Sequence, residues 1–251
     1  MNMRVSRLLQ PLARWLALVA LCGLGLQVFF VARIASMRYI DPVSTAFQRS
    51  EAMRIARNNP DFRWQQDWVD GAAHPKNMKR AVIASEDDVF ASHGGVQWEA
   101  IEKAWSRNAR AMARAQARAE ANAGQAPRAK VVGGSTITQQ LAKNLFLSGE
   151  RTMLRKAQEL VLTLALEQLL SKDRILTIYL NSVEWGEGVF GVEAASQHYF
   201  KHPASQLNAW ECARLAVMLP RPKYYEKYAR SPYLAGRAQT ILARMPQVAL
   251  P

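Results

Sequence analysis

The order of apolar and polar positions divides the chain into a membrane-length run followed by a series of helix-length segments. From Trp15 to Ala32 no residue is charged. Eighteen residues at 1.5 Å each span about 27 Å, enough to cross a bilayer core. Arg4, Arg7 and Arg14 precede the run, and Arg33, Arg38 and Asp41 follow it. That balance places the amino terminus inside and everything after about residue 36 outside the cytoplasm. A cleaved signal peptide is the competing reading. Cutting after Ala35 would leave Arg33 where a small residue is needed, so an uncleaved signal-anchor is favoured.

Residues 35–73 mix polar and aromatic positions without a strong period and read as a connector. Pro75 suits the first turn of a helix that carries Lys79 and Arg80 into the apolar run from Ala81 to Ala84. Val96 to about Ala123 is helical, with Arg107, Arg110, Arg114 and Arg118 on one face. The stripe fits either a solvated charged face or one lying near anionic lipid headgroups. Residues 123–130 read as a loop, and Gly133 to Thr136 open the next helix. Met153 to Ser171 is apolar on almost every side, which predicts a helix in the middle of a domain.

Ser171 caps a helix holding Ile175 to Asn181, and Gly186, Gly188 and Gly191 mark an irregular loop. Val192–Phe200 resumes helix, and Asn208 with Glu211 forms a capping box for Ala209–Leu219, ended by Pro220. A last helix runs from Ser231-Pro232 to Met245. Strand-like alternation is nearly absent. The expected fold class is therefore mainly α: a short cytoplasmic segment (1–14), a transmembrane helix (15–34), the connector (35–73) and one domain (74–251). No internal repeat is found.

Composition changes this picture in two respects. Hydrophobic residues make up 49% of the chain, which excludes a disordered protein. The net charge of +13 predicts an anionic partner such as a phosphate-bearing substrate, an acidic membrane surface or nucleic acid. The two cysteines, Cys22 in the apolar run and Cys212 far downstream, predict no internal disulfide.

Three segments carry candidate chemistry. Glu86 and Asp87 follow a core-forming run and lead into a turn holding His93, Gly94 and Gly95. A carboxylate at the rim of a core, beside glycines that admit a ligand, suits a general base. Ser135, Gln139, Gln140 and Lys143 place hydroxyl, amide and cationic donors at a helix start that itself favours anions. The spacing is not that of a P-loop. Arg151, Arg155 and Glu159 fall in line on the next helix, where they form either a structural ion pair or part of a polar cleft.

In order along the chain stand Glu86-Asp87-x-x-Phe90-x-x-His93-x-Gly95 and Gly134-Ser135-Thr136-Ile137-Thr138-Gln139-Gln140-x-x-Lys143-Asn144. Arg155-Lys156-x-x-Glu159, Ile175-Leu176-x-x-Tyr179-Leu180-Asn181 and Leu215-Ala216-x-x-Leu219-Pro220 follow. This ordered set resembles the peptidoglycan glycosyltransferases of glycosyltransferase family 51, which include the glycosyltransferase module of class A penicillin-binding proteins. With the chain ending at Pro251, it resembles the monofunctional biosynthetic type. One position departs: Gln97 stands where the family usually has Asp.

The resemblance implies a two-lobed, lysozyme-like domain that polymerises lipid II into β-1,4 linked glycan strands, releasing polyprenyl pyrophosphate with inversion. It makes Glu86 the catalytic base and Glu159 a second catalytic residue that orients the cations or substrate. Lys143, Arg151 and Arg155 would grip the pyrophosphate, and Ser135, Gln139 and Gln140 would contact substrate. His93 reads as a hydrogen-bonded structural residue. No cofactor is required, with a divalent cation (Mg or Mn) as a stimulant at most. The expected partners are lipid II, the nascent glycan strand, membrane lipids and proteins of cell-wall synthesis or division. Nucleic acid is not among them, because the expected topology places the arginine stripe outside the cytoplasm. The alternative is a lysozyme-like glycan hydrolase, which would need an acid Glu but no pyrophosphate clamp.

Overall fold

A computed structural model of the chain describes residues 2–59, 63–122, 134–147, 149–150 and 152–251. Helix α1 spans Asn2–Ser36, and its part from Pro11 to Ser36 is long and apolar enough to cross a membrane. Its carboxy-terminal end is built into the domain. Ile34 and Met37 are core residues, and the Phe30 ring meets Phe146 edge-on at 5.3 Å. The last carbonyls of α1 are met by backbone N–H groups, and Arg174 holds the chain just past the helix. Its guanidinium donates to Met37 O at 2.7 Å and Ile40 O at 3.3 Å, and pairs with Asp41 at 2.7 Å.

The segment expected to be a featureless connector contains helix α2 (Ala46–Asn58). A capping box starts it: Gln48 N donates to Thr45 Oγ1 at 3.0 Å and Thr45 N to Gln48 Oε1 at 2.8 Å. The same Gln48 is buried and reaches Ser182 O, so the helix is tied to the domain at its first turn. Beyond α2, strand β1 (Gln65–Gln66) pairs in parallel with β3 (Val189–Phe190), which pairs antiparallel with β2 (Glu184–Gly186). The glycines expected to mark an irregular loop thus shape a short hairpin, with Gly188 and Gly191 at φ of 77° and 81°. Asn181 fastens this corner. It accepts from Val69 N at 2.8 Å and donates to Val69 O and Thr177 O.

The rest is helical. α3 (Lys76–Glu86) packs against α9 (Ala209–Met218) and α11 (Pro232–Arg244), and α5 (Ile137–Phe146) packs against α6 (Met153–Leu169). α7 (Lys172–Ser182) runs through the centre with every residue from Ile175 to Ser182 buried. α4 (Trp98–Asn122), α8 (Val192–Phe200) and the short α10 (Pro222–Lys227) complete the set. The domain is mainly α, as its periodicity predicts.

One expectation fails. The helix that is apolar all round is α6 rather than the central α7. Along α6 only Glu159, Leu162, Thr163 and Leu166 are buried, while Met153, Leu154, Val161 and Leu164 are exposed. A helix apolar on every face needs an apolar environment on every face, and the protein supplies it on one side only.

At the hairpin, Glu184 is buried and its Oε1 has no hydrogen-bond partner. Lys223 Nζ stands 3.4 Å from it and also contacts Glu51 of α2, whose carboxylate pairs with Arg54. Burial, only partly countered by Lys223, pushes the Glu184 carboxyl up to about 7. The folded state thus favours the neutral acid. Its stabilising contribution is complete at pH values below the ordinary carboxylate range and is lost as pH rises through about 7. Glu184→Gln should remove this loss. Thermal unfolding should show the variant more stable than the parent at pH 8 by about 1–3 kcal/mol, with the gap closing near pH 5.

Candidate active site

Glu86 is the last residue of α3, and there the chain leaves helical geometry at Asp87. The two carboxylates part company. Asp87 turns inward, is buried, and collects four donor contacts. His93 Nε2 lies 2.9 and 3.0 Å from its two oxygens, Gln97 Nε2 donates to Oδ1, and Ile137 N donates to Oδ2 at 3.0 Å. His93 Nδ1 accepts from Gly95 N at 2.9 Å, so Nε2 carries the ring hydrogen and points it at Asp87. Ile137 is the first residue of α5, so the carboxylate also sits at a helix N-terminus, where the backbone dipoles favour an anion.

Thr136 closes the same corner. Its hydroxyl donates to Gly95 O at 2.7 Å while accepting from Gln139 N at 3.1 Å. Gly95 has φ +85°, and a Cβ there would lie 2.7 Å from Glu167 Cγ and 2.9 Å from Thr163 Cγ2 of α6. Only glycine satisfies both demands. The turn after α3, the start of α5 and the middle of α6 are therefore locked to one another.

Glu86 faces the other way and is partly exposed. Gln140 Nε2 donates to its Oε2 at 2.8 Å, and Gln140 Oε1 in turn accepts from the buried Tyr179 hydroxyl at 2.9 Å. Ser85 Oγ lies 3.3 Å from Oε1 and 3.2 Å from Ala216 O. Burial raises the Glu86 carboxyl above its ordinary value, the charge of Asp87 adds to the rise, and the bonds from Gln140 and Ser85 hold it back. A carboxylate with a raised proton affinity, aimed by a fixed amide, is suited to accept a proton.

On α6, Glu159 is buried beneath two cations. Arg155 Nη1 pairs with its Oε2 at 2.9 Å, and Lys156 Nζ contacts its Oε1. The charges do not cancel: two cations face one carboxylate, and Arg155 Nε is buried without a partner. The surplus positive charge favours an anion near these heads. Thr138 of α5 and Lys172 of α7 both reach Glu167 two turns further along α6, which braces α5 against α6.

Of the residues expected at the site, Glu86 and Gln140 are joined directly, and Arg155 and Glu159 form a pair. Lys143 is exposed on α5, one turn beyond Gln140 on the same face. Gln139 is buried and spends its carbonyl on the capping box of α5, bonding Thr136 N at 3.1 Å. Ser135 is exposed just ahead of the cap, which is Thr136. Arg151 lies outside the described residues. His93 is hydrogen-bonded as expected of a structural residue.

Three further members join the site without having been assigned a role from the sequence. Asp87 organises the corner, Tyr179 orients Gln140, and Lys156 doubles the charge over Glu159. Only the last has a local signal, its three-residue spacing from Glu159. Gln97, the departure from the usual Asp, donates its amide to Asp87. An Asp there would set two carboxylates together, so the substitution exchanges a shared proton or a repulsion for a direct hydrogen bond.

The chain matches the family described as Transglycosylase over residues 53–246. It is 50% identical over 243 residues to a biosynthetic peptidoglycan transglycosylase of Burkholderia thailandensis, covering 95% of this chain and 89% of that protein. Proteins of the same description from Paraburkholderia xenovorans and Burkholderia ambifaria are 47% and 45% identical. Those matches cover 95% and 100% of this chain, and 94% and 97% of the relatives.

If Asp87 is the keystone of the corner, removing one of its acceptor oxygens should unfix it. Asp87→Asn is expected to lower stability by about 2–4 kcal/mol in denaturant unfolding, because buried donors then lose a charged partner.

Proposed function

The chain belongs to the transglycosylase family, and on that premise we propose how its residues carry the reaction. It is a glycosyltransferase of peptidoglycan synthesis, polymerising lipid II into glycan strands and so serving cell-wall biogenesis. The acceptor sugar's 4-hydroxyl gives its proton to the Glu86 carboxylate as its oxygen bonds to the anomeric carbon of the donor. The bond from that carbon to the pyrophosphate breaks, and the polyprenyl pyrophosphate leaves with the electron pair. Attack opposite an α-linked leaving group yields the β-1,4 bond.

The observation that carries this assignment is the Tyr179–Gln140–Glu86 relay, which aims one oxygen of a partly buried carboxylate and leaves the side chain accessible. Arg155 and Lys156, held in place by Glu159, and Lys143 on α5 offset the charge growing on the leaving group. Charge offset of this kind is commonly the largest catalytic contribution. Arg151 is assigned to the same clamp on its motif position. Glu159 acts as the counter-ion that fixes the cations. A divalent cation, Mg or Mn, would supplement these charges without being required. Ser135 and Gln140 are assigned to contact with sugar or peptide, while Gln139 serves the capping box that starts α5. Arginines weighted toward the amino terminus of the anchor helix support a domain on the periplasmic side, where it would meet other proteins of cell-wall synthesis or division.

The test is strand elongation by the purified full chain on labelled lipid II. Glu86→Gln should lower the rate by at least about a hundredfold while thermal unfolding stays that of the parent. Arg155→Ala should lower kcat/KM by about a hundredfold. Substantial elongation by the Glu86→Gln variant would remove Glu86 from the role of base. Shortening of preformed strands by the parent would favour a hydrolase instead.

A further inference from the structure

Between Trp15 and Ala32 one residue carries an amide, Gln27. It is not left bare. Gln27 Nε2 donates to Gln158 Oε1 at 2.9 Å, and Gln158 Nε2 donates back to Gln27 Oε1 at 3.0 Å. Gln158 belongs to α6, so a helix of the catalytic domain is bonded to the membrane-crossing helix by a reciprocal amide pair. About ten residues further on in both helices they are still together, since Arg38 just past α1 and Gln168 to Leu170 at the end of α6 line the same cavity. The two helices therefore run side by side in the same direction.

Gln27 lies six residues before Arg33, the first charge on the outer side, or about 9 Å along the helix axis. That is inside the outer half of a hydrocarbon core about 30 Å thick. α6 must descend with it. This accounts for the residues that water should not tolerate: Met153 and Leu154, at 87% and 83% exposure, occupy the deep end of α6. Acyl chains would cover them. Next to them in sequence stand Arg155 and Lys156, whose long stems turn back toward the carboxy-terminal end of α6, where Glu159 holds their charged heads.

We propose that the Gln27–Gln158 pair is an intramembrane pin. It fixes the rotation and height of the anchor helix against α6, and so sets the depth at which Arg155, Lys156 and Glu159 meet the pyrophosphate of a lipid-linked substrate. Among apolar neighbours an amide pair is selective for register, because a shift of either helix leaves both amides without partners. The pin rests on the reading of the clamp given under Proposed function. Gln27 and Gln158 are positioning residues and do not touch the reacting atoms.

The test uses the full chain in phosphatidylethanolamine–phosphatidylglycerol vesicles, with Gln27→Leu, Gln158→Leu and the double variant. Either single variant should raise KM for lipid II in the vesicles about tenfold with kcat held within about twofold. The double variant should show a rise no larger than that of either single one, because all three lack the same pair. With a short-chain lipid II analogue in detergent all four proteins should turn over alike. Unchanged vesicle KM in the single variants, or an equal loss in detergent, would overturn the pin.

A second readout needs no activity. With Cys22→Ala as background, Gln27→Cys with Gln158→Cys should be joined in vesicles by a short bis-methanethiosulfonate reagent and detected by mass spectrometry. Failure to cross-link overturns the proposal. Cross-linking that persists when Arg155→Ala is added to the pair, while the same change in the parent leaves elongation undiminished, would instead sink the reading of the clamp and leave the pin's geometry intact.

Discussion

The buried carboxylate of Asp87 is the constraint on which the site depends. A charge removed from water must be met by donors, and this one is met by an imidazole and an amide from the turn after α3 and by the N-terminus of α5. Satisfying it fixes where α5 begins. With α5 fixed, Gln140 stands one turn beyond the capping box, within reach of Glu86. Two adjacent acids thus take opposite roles. One is consumed by structure, and the other is held at the surface with its proton affinity raised by burial. The pairing of unlike environments for neighbouring carboxylates is a general way of obtaining a base from an ordinary residue.

α6 performs the complementary task. It carries a buried Glu159 that holds two cations, a surface against α5, and an apolar face that the protein does not cover. These features belong together if the substrate is itself divided between membrane and water. In the proposed mechanism the polyprenyl chain would lie along Met153 and Leu154, and the pyrophosphate at Arg155, Lys156 and Lys143. The anchor helix completes this arrangement, since Ile34 and Met37 are core residues and Arg174 holds the chain just past the helix. A flexible tether would have no reason to lodge two residues in the core of the domain it holds.

Much of this is legible in the sequence, for identifiable reasons. The helices have strong periodicity and local caps, so Ser171, Asn208 and Ser231 mark real starts. The Arg155–Glu159 pair follows from spacing on one helix. What escapes is non-local or environmental. Asp87 meets Ile137 across fifty residues, and no local pattern announces such a contact. The Thr45-x-x-Gln48 box opening α2 is present but hidden in a stretch without a clear apolar stripe. The all-round apolar pattern of α6 reads as central because periodicity cannot distinguish a protein core from a lipid surround. Ser135 and Gln139 show the limit of motif reading, since Thr136 is the cap and Gln139 serves it.

The central claim is that Glu86 accepts the proton and that Gln140 tunes it. The most direct test is the pH dependence of kcat/KM for lipid II elongation in the parent and in Gln140→Leu. The amide from Gln140 stabilises the ionised carboxylate, so removing it should raise the Glu86 proton affinity. The acid-side limb of the profile should move to higher pH in the variant, with activity recovering as pH rises. A limb that stays where it was, or moves to lower pH, would contradict the claim.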